Sequence, residues 1–145
     1  MKQIQFICLL AACFLLSVSC IPKDQPERDK TTRPCHQIIY QILTTSPRYK
    51  SLTKGLAERI IANGGTSYGL LYEGSPNPKL DSALTYSKTY DYSVHESYPD
   101  REPVIARFSF DRKKRQLFEY DTAQDSLIAI AFNKKLLLDL DKACK

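Results

Sequence analysis

Histidine and tryptophan are scarce in this sequence, and their scarcity excludes several kinds of site. Its 145 residues include two histidines and no tryptophan. Neither His36 nor His95 has partners at the spacing of a zinc site. Cys35 and His36 would point about 100° apart on a helix, which makes them a poor nucleophile–base pair. We therefore expect no metal, no cofactor and no Cys-His catalytic pair.

An excess of charge is also lacking. The net charge is +5, and the cations are too scattered for a nucleic-acid-binding face, so no nucleic-acid partner is expected. One run of four cations occurs, at Arg112, Lys113, Lys114 and Arg115. It is either part of an interaction surface or, as we favour, a solvated turn that protects a sheet edge from pairing.

Carboxylate pairs give little support to an enzyme. Asp139 and Asp141 are two residues apart on a predicted helix and do not share a face. Asp121 and Asp125 flank a predicted turn, where Asp is common for backbone reasons. No catalytic residue is assigned, although a small hydrolase that acts through two carboxylates stays open as an alternative.

The longest apolar run lies at the N-terminus. It extends from Phe6 to Val18, follows the positive charge of Lys2, and is followed by small residues and then polar, proline-containing sequence. About 13 residues is the length of a signal-peptide core and is short of the ~20 that span a bilayer. We predict a cleavable signal peptide at residues 1–19, with a buried core helix as the alternative.

The end of this run resembles a bacterial lipobox. Residues 16–20 read Leu-Ser-Val-Ser-Cys. Val18 and Ser19 fit the lipobox pattern, whereas Ser17 departs from it because the usual large aliphatic residue lies one position back. The resemblance implies that Cys20 is diacylated and anchors the protein to a membrane of a bacterial cell envelope, periplasmic or surface-exposed. Ordinary cleavage with Cys20 left free is the alternative.

Cysteine parity agrees with this interpretation. Of five cysteines, Cys8 and Cys13 leave with the signal, and acylation would use Cys20. Cys35 and Cys144 remain as an even pair in an oxidising compartment, so we predict a disulfide between them. Two buried thiols are the alternative. Between Cys20 and Cys35, residues 21–34 hold three prolines and seven charged residues, which is typical of a flexible tether over 20–34.

Residues 35–145 are predicted to form one α+β domain. Apolar spacing predicts a helix that begins at Cys35, a second that runs from Pro47 to Asn63 with Ser46 as its N-cap, and a C-terminal helix capped by Asn133. Between them, alternating patterns predict about five mostly antiparallel strands. Leu84–Val94 is read as one half-buried strand and Leu127–Phe132 as an inner strand. This helix-then-sheet order is similar to a cystatin-like arrangement.

Two sets of residues are candidate sites. Tyr86, Tyr90 and Tyr92 could form an aromatic platform for a sugar or a protein, although such a stripe more often faces the core. Three Asp-Ser or Asp-Thr sequences resemble the O-glycosylation acceptor motif of certain Gram-negative envelope proteins. The resemblance implies acceptors at Ser82, Thr122 and Ser126, while Asp-Ser and Asp-Thr are also favoured in turns.

The sequence therefore predicts a non-catalytic binding module of the cell envelope. It would be an accessory subunit, an inhibitor or an immunity-type protein that binds an envelope protein or glycan. The small hydrolase is the alternative. A carboxylate pair, or a His beside a carboxylate, in a concave pocket would favour the enzyme.

Overall fold

The computed structural model describes residues 33–144 and begins with three short helices. Helix α1 is Cys35–Thr44, α2 is Pro47–Thr53 and α3 is Leu56–Ala62. Ser46 caps α2, and its hydroxyl accepts a hydrogen bond from the Tyr49 N–H at 3.2 Å. The prediction of one continuous helix from Pro47 was wrong, because Gly55 lies in the left-handed region with φ 63° and separates α2 from α3.

The rest of the described chain forms one sheet and two further helices. A four-residue helix α4, Pro78–Asp81, lies between the first two strands, and the C-terminal helix α5 is Leu136–Ala143. The order in the sheet is β2-β1-β3-β4-β5-β6, with β1 and β2 parallel and all other neighbours antiparallel. The strands are β1 Ser67–Ser75, β2 Thr85–Tyr86, β3 Tyr90–Ser97, β4 Val104–Asp111, β5 Gln116–Asp121 and β6 Ser126–Ile130. The α+β class is thus confirmed, with six strands in place of about five.

The predicted strand Leu84–Val94 is two strands. The Ser87 N–H donates to the carbonyl of Ser75, and the Ser87 hydroxyl accepts from the Thr89 N–H, which turns the chain between β2 and β3. As a result Leu84 and Tyr86 lie at the sheet edge and are exposed. Period-two spacing cannot distinguish one strand from two that keep the same phase.

The prediction of an inner strand at Leu127–Phe132 was also wrong. The strand is β6, at the end of the sheet, and Leu127 and Ile128 are 53% and 44% exposed. The apolar residues of β6 suggested burial on both faces, but most of them are exposed at the edge of the sheet. The sequence gives no other indication of where β6 lies in the sheet.

One face of the sheet is packed against the helices. Phe108 and Phe110 are 2% and 0% exposed, which confirms that both rings point to the core. They join a cluster of buried residues from α1, α5 and β3. The opposite face, which we call the open face, carries Asp91, Ser93, Arg107, Ser109, Tyr120 and Leu127.

The two ends of the described chain meet beside this core. Cys35 at the start of α1 and Cys144 after α5 form a disulfide with 4.8 Å between their Cα atoms. This is within the range that a bridge requires. The Asn133 side chain accepts from the Lys135 N–H just before α5 begins. Among residues 33–144, no helix is both long and apolar enough to cross a membrane.

Candidate functional site on the open face of the sheet

The open face is built by two rows of cross-strand neighbours. One row runs through Asp91, Ser109, Phe118 and Ala129 on β3, β4, β5 and β6. The next row holds the pair Ser93–Arg107 and the pair Tyr120–Leu127. Directly opposed side chains in antiparallel strands point to the same face. The register therefore places acidic, basic, hydroxyl and apolar side chains side by side.

A hollow of about 400 Å³ lies among these side chains. Its lining includes Glu73, Asp91, Arg107, Tyr120 and Leu127. Glu73 reaches it from a bulge in β1, where the register shifts between Tyr72 and Gly74, and bulges commonly redirect a side chain. The hollow thus combines two carboxylates, a guanidinium, a phenol and an exposed leucine.

Hydroxyl groups hold the carboxylate of Asp91 in place. Its Oδ1 accepts from Thr89 Oγ1 and from Ser109 Oγ, both at 2.7 Å. Gly74 leaves the necessary room on the other side, because a Cβ there would lie 3.1 Å from Asp91 Oδ2. The carboxylate is therefore oriented before any ligand arrives, which lowers the entropy cost of binding.

Ser93 joins Glu73 to His95. Its hydroxyl donates to Glu73 Oε1 at 2.6 Å and lies 2.7 Å from His95 Nε2. A hydroxyl has one proton to donate, so when Ser93 donates to Glu73 the hydrogen between Ser93 and His95 must be carried by Nε2. The imidazole then donates to the serine and cannot accept its proton. His95 Nδ1 is buried and has no hydrogen-bond partner among the described residues.

This arrangement differs from that of a hydrolytic triad in two ways. The base of a triad is oriented by a third group at its other nitrogen, and no described residue bonds to Nδ1 of His95. The serine must also be reachable by substrate, whereas Ser93 is 0% exposed. The trio therefore fixes the floor of the open face and does not expose a nucleophile.

The predicted tyrosine platform is only partly at the surface. Tyr90 and Tyr92 are each 3% exposed, so these two rings face the core, as the sequence favours, and are not part of an interaction surface. They point to the helices because they share a face of β3 with Val94. Tyr86 is 69% exposed and lies on β2, at the outer edge of the sheet.

The tyrosines on the core face of the sheet stack on one another and have raised pKa values. Tyr72 stacks on Tyr92 with 4.6 Å between ring centroids. Burial, together with the nearby carboxylate of Asp81, raises the pKa of Tyr72, Tyr90 and Tyr92. His36 Nδ1 lies 3.4 Å from Asp81 Oδ1 at the edge of this cluster. His36 lies on α1 and Asp81 on α4, so neither side chain belongs to the open face of the sheet.

The four-cation run forms the turn between β4 and β5. Arg112 donates to the carbonyl of Cys144, and Arg115 makes two hydrogen bonds to Asp141, at 2.6 and 3.1 Å. The pair with Arg115 lowers the pKa of the Asp141 carboxyl. Both arginines thus hold the end of the C-terminal helix. Lys113 and Lys114 are exposed in the same turn, and Lys114 Nζ lies 5.5 Å from the ring of Phe118.

The three predicted glycosylation acceptors lie in or beside turns. Ser82 is exposed just after α4, with φ 59°. Thr122 is exposed in the turn between β5 and β6, and Ser126 is half-buried at the start of β6. Their modification stays a prediction. The signal peptide, Cys20 and residues 21–32 of the tether lie outside the described residues.

Sequence reasoning missed the residues of the hollow. The alternation in β3 marks Asp91 and Ser93 as facing away from the core, but it does not identify their neighbours on β4. The bulge that brings in Glu73 leaves no sign in the sequence. Within residues 33–144, no three His, Cys, Asp or Glu side chains come together in a way that could hold a metal ion.

We compared the chain with known protein families, curated proteins and solved structures. No protein-family model, curated protein or solved structure matches the chain. The likeness to a cystatin-like arrangement accordingly stays an analogy of element order.

Proposed function

We propose that this protein is a cell-envelope lipoprotein whose domain is a non-catalytic binding module, and that the open face is its binding surface. The observation that carries the proposal is the hollow of about 400 Å³ on that face. The export signal and lipobox predicted from the sequence supply the location.

The chemistry of the hollow suits an envelope protein or a glycan. Asp91 and Glu73 are hydrogen-bond acceptors held in place by hydroxyl groups, and Arg107 is an exposed donor beside them. Tyr120 and Leu127 add apolar area at the other end. Oriented polar groups next to an apolar patch are typical of surfaces that recognise a specific ligand.

The predicted tether would give this surface its reach. About 14 residues, fully extended, span at most roughly 45–50 Å. With Cys20 in the membrane, the domain could then meet a partner away from the lipid headgroups. This step rests on the lipobox resemblance.

The rival hydrolase hypothesis has two observations in its favour, of which the first is that two carboxylates, Glu73 and Asp91, line the hollow. A histidine and a carboxylate do flank a serine at hydrogen-bond distance on a concave surface. The enclosure of Ser93 and the direction of its proton argue against a catalytic role for the serine. Mass analysis of the captured ligand separates the two hypotheses. A hydrolase would release cleaved ligand, and Glu73→Gln or Asp91→Asn would stop the cleavage, whereas a binding module would return its ligand intact.

Two pairs of matched variants test the binding surface. Arg107→Glu reverses a charge on the open face, and Lys50→Glu does the same on exposed α2. Tyr120→Ala removes an aromatic ring from the hollow, and Tyr40→Ala removes a half-exposed ring from α1. Circular dichroism and thermal unfolding confirm that each variant is folded.

The measurement is quantitative capture of envelope proteins and of immobilised envelope glycans by full-length protein in detergent. We expect wild type, Lys50→Glu and Tyr40→Ala to retain the same ligand. Arg107→Glu and Tyr120→Ala should lose about tenfold or more in affinity, which corresponds to ~1.4 kcal/mol of binding free energy. Equal capture by all four variants would contradict the proposal.

A further inference from the structure

Among residues 33–144, the outer strand β6 shows none of the features that normally keep a sheet edge from pairing. Natural edge strands are protected by charged side chains, proline, bulges or a covering element. The five residues of β6, Ser-Leu-Ile-Ala-Ile, contain no charge and no proline, and no bulge interrupts their pairing with β5. Leu127 and Ile128, which point to opposite faces, are 53% and 44% exposed.

Charges of opposite sign flank this apolar edge. Asp121 ends β5 and Asp125 ends the turn that leads to β6, whereas Lys134 and Lys135 follow β6 before α5. An antiparallel partner with the same sequence would place the acidic end of one strand against the basic end of the other, at both ends of the pair. A parallel partner would place like charges together.

We propose that β6 pairs antiparallel with β6 of a second copy of this chain, about a two-fold axis. Opposed residues in such a pair point to the same face. Centring the pair on Ile128 sets Ile128 against Ile128 and Leu127 against Ala129 of the second copy. Each exposed side chain then gains an apolar cross-strand neighbour, and the sheet continues across the axis.

The proposed dimer also joins the two binding surfaces. A two-fold axis perpendicular to the sheet keeps both open faces on one side, and Leu127 belongs both to β6 and to the lining of the hollow. Two five-residue strands bury less than the ~800 Å² per partner of a stable interface. The association is therefore weak in dilute solution and depends on protein concentration. It does not rest on the proposed binding function.

Sedimentation equilibrium of the full-length chain, in density-matched detergent with micelles in excess over protein, measures this association. We expect wild type to dimerise with concentration. Ile128→Lys places a charge at the centre of the edge and should weaken dimerisation by about tenfold or more. Leu138→Lys, at a residue 67% exposed on α5, makes the same chemical change elsewhere and should behave as wild type.

A charge exchange tests the complementarity. Lys134→Glu with Lys135→Glu makes both ends of the strand acidic. Gln124→Lys with Asp125→Asn removes the net negative charge from the end that precedes β6 and leaves the basic end unchanged, and Asn tolerates the positive φ of 48° at position 125. Each double variant should dimerise less than wild type, and an equimolar mixture should restore association as a heterodimer.

Three results would overturn the proposal. One is a wild-type chain that stays monomeric at every concentration. Another is a dimer that Ile128→Lys leaves intact. The third is a monomeric wild type whose capture of another envelope protein is abolished by Ile128→Lys, which would assign the edge to a different chain.

Discussion

Removal of the Cys35–Cys144 bridge should lower the free energy of unfolding by about 4–5 kcal/mol. The sequence separation of the two cysteines is 109 residues. In the chain-entropy model, a bridge that closes a loop of that length lowers the entropy of the unfolded chain and so raises its free energy by this amount. The perturbation is the double variant Cys35→Ser with Cys144→Ser. Reduced wild type is its matched control, because it loses the bridge without a change of sequence.

The structure also predicts which element loses stability first when the bridge is removed. Helix α5 has eight residues and needs packing to be stable. Without the bridge, Leu136 and Leu140 still pack into the core, and Arg112 and Arg115 still hold the end of the helix. We therefore expect the variant to remain folded, with α5 opening more readily than the sheet.

Urea unfolding followed by circular dichroism gives the free energy, and hydrogen exchange gives the local effect. Amides of α5 should exchange faster in the variant while those of β3 and β4 change in step with global stability. A change in unfolding free energy under about 1 kcal/mol would show that the bridge does not form in the protein or does not restrict the unfolded chain. Peptide mapping without reductant distinguishes these two outcomes.

Two further predictions concern the core. Phe108→Ala should cost about 3–5 kcal/mol of unfolding free energy, and Phe118→Ala, a half-buried ring on the open face, should cost clearly less; equal costs in urea unfolding would show that the core is misplaced. Burial raises the pKa of Tyr90 and Tyr92 above the ordinary value of 10.0. Below pH 10 both phenols are protonated in the folded and in the unfolded protein. As the pH rises, the unfolded protein loses these protons first. Stability should thus be insensitive to these tyrosines below about pH 10 and fall above it, by at most ~1.4 kcal/mol per pH unit for Tyr92, whose pKa is the more strongly raised. Tyr92→Phe should reduce that slope in urea unfolding between pH 9 and 11.5, and a slope that this variant leaves unchanged would contradict the assignment.

Local rules predicted the elements that depend on neighbouring residues. The Ser46-Pro47 cap, the stripe of α1 and the inward side chains of β4 follow from capping preference and from helical or strand periodicity. The break at Gly55 was missed because apolar spacing continues across it, from Leu52 to Leu56. A left-handed glycine can end a helix without changing the apolar pattern on either side.

The candidate site depended on contacts that periodicity does not encode. Ser109 and Arg107 come beside Asp91 and Ser93 through the pairing register of β3 with β4. Glu73 arrives through a bulge, and the edge position of β6 depends on the order of strands. Strand pairing, bulges and strand order are tertiary properties. Local sequence patterns could therefore predict which face of the sheet is polar, but not which residues come together on it.

We propose that a lipid on Cys20 holds this domain at a bacterial membrane. Intact-mass analysis of protein purified from the membrane fraction tests this anchor directly. We expect a mature chain that begins at Cys20 and carries a diacylglycerol group, and we expect Cys20→Ser to move the protein to the soluble fraction. A mature chain without lipid, or one that begins at another residue, would contradict the proposed anchor.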